Sequence, residues 1–312
     1  MYAAVVVLCR RCCGVHCVRP RQAVKALKPV HPSTRVHPRT HEWMPDSVEG
    51  LFAELDSLQR RRTEDQSLLL YRGQQCREWR LDSTFVRSVK TRVFGMQAHE
   101  GFSARLRDSG DLNFALTSLL LFKFGTLLRP SEELRRVEAE HGVDAWFELM
   151  KRYQQYPEED KPAIAGTSFL DWSQSCDVAL YFANKSRAGE GALYVCDATA
   201  TGKTLQVLPV VEILNKVRER LTRGESNGVP LLFSPSKQIA NQRAKNQQAV
   251  YFAQLELRLD MLEAWRMQEL SLPGETIILK IVLPSGTEQG VSDYLNEKGI
   301  TGEFIFPDKV EK

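Results

Sequence analysis

Gly166-Thr-Ser-Phe-Leu-Asp-Trp-Ser173, running on into Gln174-Ser-Cys-Asp-Val-Ala-Leu-Tyr-Phe-Ala183, is the stretch whose reading decides the fold. Thr167 to Trp172 reads as extended chain. Cys176, Ala179, Leu180 and Ala183 then fall at i, i+3, i+4 and i+7, which is one face of a helix. A strand therefore hands over to a helix beside Asp171-Trp172-Ser173. Such a junction exposes backbone N–H groups suited to an anion. Further along, strand-like runs at 191–197, 205–210, 229–233, 249–254, 275–283 and 303–306 mix with helical runs at 211–222, 256–270 and 288–298. Strands not regularly separated by helices predict an α+β fold rather than a doubly wound sheet.

Upstream of that stretch, Pro45 opens the folded part. Asp46 or Ser47 can cap a helix that lines up Val48, Leu51, Phe52, Leu55 and Leu58 and ends in Arg60-Arg61-Arg62, a basic end suited to the negative helix pole. Ser67-Leu-Leu-Leu-Tyr-Arg-Gly73 reads as a short buried strand stopped by glycine. Residues 97–128 and 131–156 read as helical, the second opening with Ser131-Glu132-Glu133 after Pro130.

The chain has 312 residues, 43% hydrophobic and 26% charged, which excludes wholesale disorder and a disulfide mini-scaffold. Its net charge of +3 is unevenly spread. Residues 1–45 carry eight Lys/Arg and one acid, so the other 267 carry about −4. The body gives no electrostatic case for nucleic acid, and only the basic arm does. Residues 1–43, rich in Cys, His and Pro, are expected to be a disordered arm, with one domain over 44–312. Cys9, Cys12, His16 and Cys17 sit within nine residues with no second ligand pair, so no metal site is expected. Leu112 to Leu128 is interrupted by Asn113, Thr117, Ser118 and Lys123 and reads as a core helix, not a membrane span. The first eight residues lack the layout of a signal peptide, and seven irregularly spaced cysteines do not describe a secreted framework. A cytoplasmic protein with no membrane partner is expected.

Phosphate-binding glycine loops, a nucleophile elbow and paired-histidine zinc motifs are missing, and only His99 and His141 lie in the body. A Ser-His-Asp hydrolase is therefore not expected. The unusual residue is Arg72, at the end of an apolar strand. A guanidinium keeps its charge on burial and needs an anion, carbonyl groups or solvent.

Tyr71-Arg72-Gly73-Gln74 with Trp79 and Leu81 resembles the opening signature of the FRG domain, named for its Phe/Tyr-Arg-Gly motif. Phe169-Leu-Asp-Trp-Ser173 with Val178-Ala-Leu-Tyr-Phe-Ala183 resembles its central block. Arg243, Gln247-Gln248 and Val250-Tyr251, then Gly299-Ile300 and Phe306-Pro307-Asp308, are similar to its later elements, in family order from 71 to 308. A weaker resemblance links this layout to the ADP-ribosyltransferase fold. It implies a split β-sheet core with flanking helices and NAD as substrate, with ADP-ribosyl transfer or NAD hydrolysis as the reaction. It further implies catalytic roles for Arg72, Ser173 and a carboxylate, Glu303 or Asp171. Tyr71, Arg72, Gly73, Gln74, Trp172, Arg243 and Gln247 would contact the nucleotide. Partners would be a nucleotide or NAD and a protein acceptor.

The sequence departs from the family where a His and an Arg usually precede the central block. Ser168 stands in the place of the Arg, and Ala249 replaces a glycine. These departures point toward the alternative, a non-catalytic domain that recognises a nucleotide or a protein partner. Plainer roles are also open for the same residues. Arg72 can pair with Asp171, Trp172 can be core, Asp171 or Ser173 can cap a helix, and Glu303 can be a surface acid.

Overall fold

The structure, a computed structural model, describes residues 42–64, 68–127, 164–198, 242–270 and 276–307, the strands at 3–9, 203–209 and 231–233, and short pieces near 132–139 and 218–223. It is an α+β fold. A seven-stranded mixed sheet has the spatial order Glu42–Trp43 (β2), Ile278–Leu283 (β9), Gly191–Asp197 (β5), Leu69–Gln74 (β3), Phe169–Ser173 (β4), Ala249–Ala253 (β8) and Leu231–Phe233 (β7). Every pairing is antiparallel except the short edge pair of β2 with β9. All seven residues of β5 are buried, as a central strand covered on both faces requires.

Helices cover the sheet because their apolar stripes match it. Val48–Glu64 (α1) starts at Ser47, whose Oγ accepts from the Gly50 N–H at 3.1 Å; Ser47 rather than Asp46 makes this contact. Leu51, Leu55 and Leu58 are fully buried with Leu180, Ala183 and Val291 from Cys176–Asn184 (α5) and Glu288–Glu297 (α8). Each such leucine contributes roughly 1.5–3 kcal/mol. A second layer, Thr84–Val93 (α2) and Gly110–Leu127 (α4), packs Phe85, Val89, Leu112 and Leu116 against Phe169 and Tyr251. The opposite face is closed by Met261–Glu269 (α7), whose Trp265 meets Phe252 and lies in the same cluster as Trp172.

β3 and β4 share a single residue pair, Tyr71 opposite Ser173, whereas β3–β5 and β4–β8 are full ladders. The sheet is thus two ladders that meet at one point.

Several expectations change. The run 97–128 is two helices, Ala104–Arg107 (α3) and α4, because Ser103 and Ser109 each accept from the N–H three residues on and restart the helix. The run 303–306 is not a strand but the helix Gly302–Ile305 (α9), capped by Thr301 Oγ1 accepting from the Phe304 N–H. Within the arm expected to be disordered, Ala3–Cys9 (β1) is a strand, antiparallel to Lys203–Pro209 (β6); three consecutive valines favour extended chain. The helix α2 and the short Gln242–Asn246 (α6) lie outside the expected helical runs. Most of 131–156, His141, and Cys12, His16 and Cys17 lie outside the described residues. Among the described residues, no helix is long and apolar enough to cross a membrane, and no group of His, Cys, Asp and Glu could hold a metal.

Candidate functional site

Where the two ladders meet, the chain leaves a cleft of about 420 Å³. β3 supplies Tyr71, Arg72, Gly73 and Gln74, and β4 supplies Asp171, Trp172 and Ser173. Val178, Ala179 and Phe182 of α5 form one wall; Arg87 of α2, Arg243 and Gln247 form the others. The charged groups lining it are Arg72, Arg87, Arg243 and Asp171, three positive and one negative, for a formal +2. In a mildly acidic body this is a local concentration of positive charge, which attracts anions.

Arg72 bridges the gap past the point where backbone pairing stops. Its Nη1 donates to the backbone carbonyl of Asp171, not to the carboxylate. Its Nε is buried without a hydrogen-bond partner, as are Arg243 Nε and Gln74 Oε1. Unpaired buried polar atoms cost free energy, on the order of 1–3 kcal/mol each, unless a ligand or water completes them. Burial pushes the Arg72 pKa down to about 10, the nearby Asp171 carboxylate opposing and Arg87 adding to the shift. Arg87 is likewise lowered by burial, with Asp82 and Asp171 opposing. Arg72 still holds its charge at neutral pH. Arg243 packs over Phe306, its guanidinium carbon 4.6 Å from the ring centre.

The other expected residues divide into lining groups and supports. Gly73 is a packing requirement: a Cβ there would come within 1.9 Å of the Ala179 carbonyl oxygen and 2.4 Å of the Ala183 nitrogen. Only glycine lets α5 lie this close to β3. Gln74 Nε2 donates to the Arg80 carbonyl at 3.2 Å. Ser173 Oγ donates to the Gln247 carbonyl at 2.8 Å and accepts from the Ser175 N–H at 2.9 Å, so it ties β4 to the turn before β8 and to the start of α5. The helix cap proper is Ser175, whose side chain accepts from Val178 N–H. Trp172 is core, edge-on to Phe252 at 5.4 Å, and Tyr71 is buried; both present only part of their surface to the cleft. Gln247 Nε2 donates to the Ile305 carbonyl at 3.1 Å.

Glu303 does not line the cleft. It is exposed on α9, and its carboxylate accepts from Thr301 Oγ1 at 2.9 Å. The reason is the helix that replaces the expected strand. Asp171 is the one carboxylate among the lining residues. Ser168 is buried and outside the lining, whereas Ala249 lies on it. Trp79 and Phe182 stand within the family-like blocks but have no binding role assigned from the sequence, nor do Arg87 or Gln75; all four line the cleft. Arg87 follows Thr84 by three residues, and Nη2 donates to Thr84 Oγ1 at 3.1 Å, a helical spacing visible only once α2 is recognised. Cys176 is buried and its thiol is pushed up by burial, so it offers no nucleophile.

Models of protein families, curated proteins and solved structures yield no match to this chain.

Proposed function

We propose that the cleft binds a phosphate-bearing nucleotide, and that the chain is an FRG-type domain with an ADP-ribosyltransferase-like split sheet whose substrate is NAD. The observation that carries this reading is the convergence of Arg72, Arg87 and Arg243 on one cleft, with the Nε of Arg72 and of Arg243 buried without a hydrogen-bond partner. Guanidinium groups bind phosphate oxygens through paired, charge-assisted hydrogen bonds. The volume lies toward the small end of the ~300–1,000 Å³ usual for ligand sites. It suits a nucleotide half enclosed with the remainder reaching out of the mouth.

Asp171 takes the carboxylate role in this reading, in place of Glu303. Cleavage breaks the bond between the ribose carbon and the nicotinamide nitrogen, and the bond's electron pair leaves with nicotinamide. Positive charge builds on the ribose, and a carboxylate beside it stabilises that charge. Water or an acceptor hydroxyl forms the new bond, and its proton passes to the carboxylate. Ser173 is a positioning residue, since its hydroxyl is already engaged by Gln247 and Ser175.

Incubation of the full chain with labelled NAD tests this. Nicotinamide release or label transfer is expected from the wild type, with a loss of 100-fold or more in Asp171→Asn, on the order seen for removal of a charge-stabilising group. Glu303→Ala is expected to behave as wild type. Binding without turnover in the wild type would favour the alternative, a domain that recognises the nucleotide, an alternative supported by the commitment of Ser173 to backbone contacts. Turnover unaffected by Asp171→Asn would remove the catalytic assignment.

A further inference from the structure

Trp79 stands apart from the other described tryptophans. Trp43, Trp172 and Trp265 are buried, whereas Trp79 is 47% exposed and borders the cleft. A single exposed aromatic is ordinary on a protein surface. Here the backbone beneath it is fixed from both sides. Arg77 donates its backbone N–H to the Glu190 carbonyl at 2.9 Å, pairs with the Glu190 carboxylate at 2.8 Å and also pairs with Glu42. Trp79 N–H donates to the Cys76 carbonyl at 3.2 Å, and its own carbonyl accepts from Tyr194 Oη at 3.5 Å. On the other side Arg80 pairs with Asp260 at 3.0 Å and Glu263 at 2.6 Å, and Leu81 is fully buried. The turn is rigid, and its largest apolar side chain is left facing solvent at the rim of a cationic cleft.

Resting on the phosphate-binding reading above, we infer that Trp79 is the base platform of the site: the heteroaromatic base of the nucleotide stacks on its indole at the mouth, with the phosphates turned inward to Arg72, Arg87 and Arg243. The division of labour follows from chemistry. Arginines read charge and do not distinguish a nucleotide from any other diphosphate. A flat π surface held at a fixed place adds affinity only for a ligand that carries a ring, and does so with little ordering cost because the turn is already fixed. Base–aromatic stacking of ordinary strength corresponds to about tenfold in affinity or more.

The test is calorimetric titration of the full chain with adenosine diphosphate and, separately, with inorganic pyrophosphate. For the wild type, both are expected to bind, adenosine diphosphate the more tightly. Trp79→Ala is expected to weaken adenosine diphosphate about tenfold and leave pyrophosphate unchanged, and Trp79→Phe to restore most of the loss. Arg72→Ala is expected to weaken both. If Trp79→Ala leaves both ligands unchanged, or weakens both by the same factor, the base platform is wrong while the phosphate site stands. If neither ligand binds the wild type, the phosphate site and the platform fall together. If a single-stranded oligonucleotide without terminal phosphates binds more tightly than adenosine diphosphate, and that preference is lost in Trp79→Ala, the mononucleotide assignment is overturned. Because the side chain is half in solvent, Trp79→Ala is expected to keep the wild-type melting temperature, which separates a binding defect from misfolding.

Discussion

Arg72 carries a full charge in a place where water is partly excluded, and its protonation sets the behaviour of the cleft. Burial moves its pKa down to about 10. The charge that holds an anion is therefore constant through neutral pH and is lost as pH rises through about 10. Affinity for NAD, whose esterified pyrophosphate keeps its charge over this range, is expected to be flat from pH 6 to 9 and to fall at higher pH, which titration across that range reads directly. Asp260 behaves in the opposite sense. Burial is the main cause of its rise to about 6, with Arg80 opposing and Asp82 adding. A carboxyl whose folded pKa lies above its unfolded value of 3.8 contributes stability that is full below that value and is lost as pH rises through about 6. Urea unfolding is expected to show stability falling by roughly 2–3 kcal/mol from this group between pH 4 and 7. Asp260→Asn keeps a side chain able to cap α7 and is expected to flatten that slope. Ser173→Ala removes two buried contacts and is expected to cost about 1–2 kcal/mol of stability. A loss of turnover greater than the loss of structure would instead place the hydroxyl on the substrate.

At the scale of elements, the close approach of α5 to β3 is the contact on which the cleft depends. Gly73→Ala would force the Ala179–Ala183 turn away from the strand. Overpacking of a rigid backbone contact costs about 3 kcal/mol, so the melting temperature is expected to fall by roughly 10 °C. An unchanged melting temperature would contradict the packing. A second brace holds α2: Lys90 pairs with Asp82, both only 1% exposed, and Asp82 accepts from Gln254 Nε2 at 3.0 Å. Lys90→Met is expected to cost about 3–5 kcal/mol, because it removes the closer cation of the buried Asp82 and leaves only Arg80, at 4.0 Å. Much of this architecture is legible in the sequence. The strand and helix around Asp171 follow from apolar spacing, as do β5, α1, α7 and α8. What escaped has physical causes. Ser103 and Ser109 restart helices inside an apolar run, and α9 follows from a Thr301 cap rather than from the strand-like look of Phe304-Ile-Phe306. The role of Gly73 was hidden because strand termination and close helix packing ask for the same residue.

At the scale of the molecule, two ladders joined at one residue pair create a gap that neither could make alone. Helices pack each ladder, and the space between α5 and α2 stays open over the joint. Arg72 and the Asp171–Trp172–Ser173 corner, 99 residues apart from Arg72 to Asp171, meet there. Glu303 does not, because the segment read as a strand is the helix α9, set by its Thr301 cap. The whole account rests on the gap being an anion site organised by Arg72. Calorimetric titration of the full chain with NAD, wild type against Arg72→Ala at equal ionic strength, measures this most directly. The account predicts binding by the wild type and a loss of at least tenfold in Arg72→Ala, on the scale of a lost charged hydrogen bond. Equal affinity of the two proteins for NAD, or no binding by either, would contradict it.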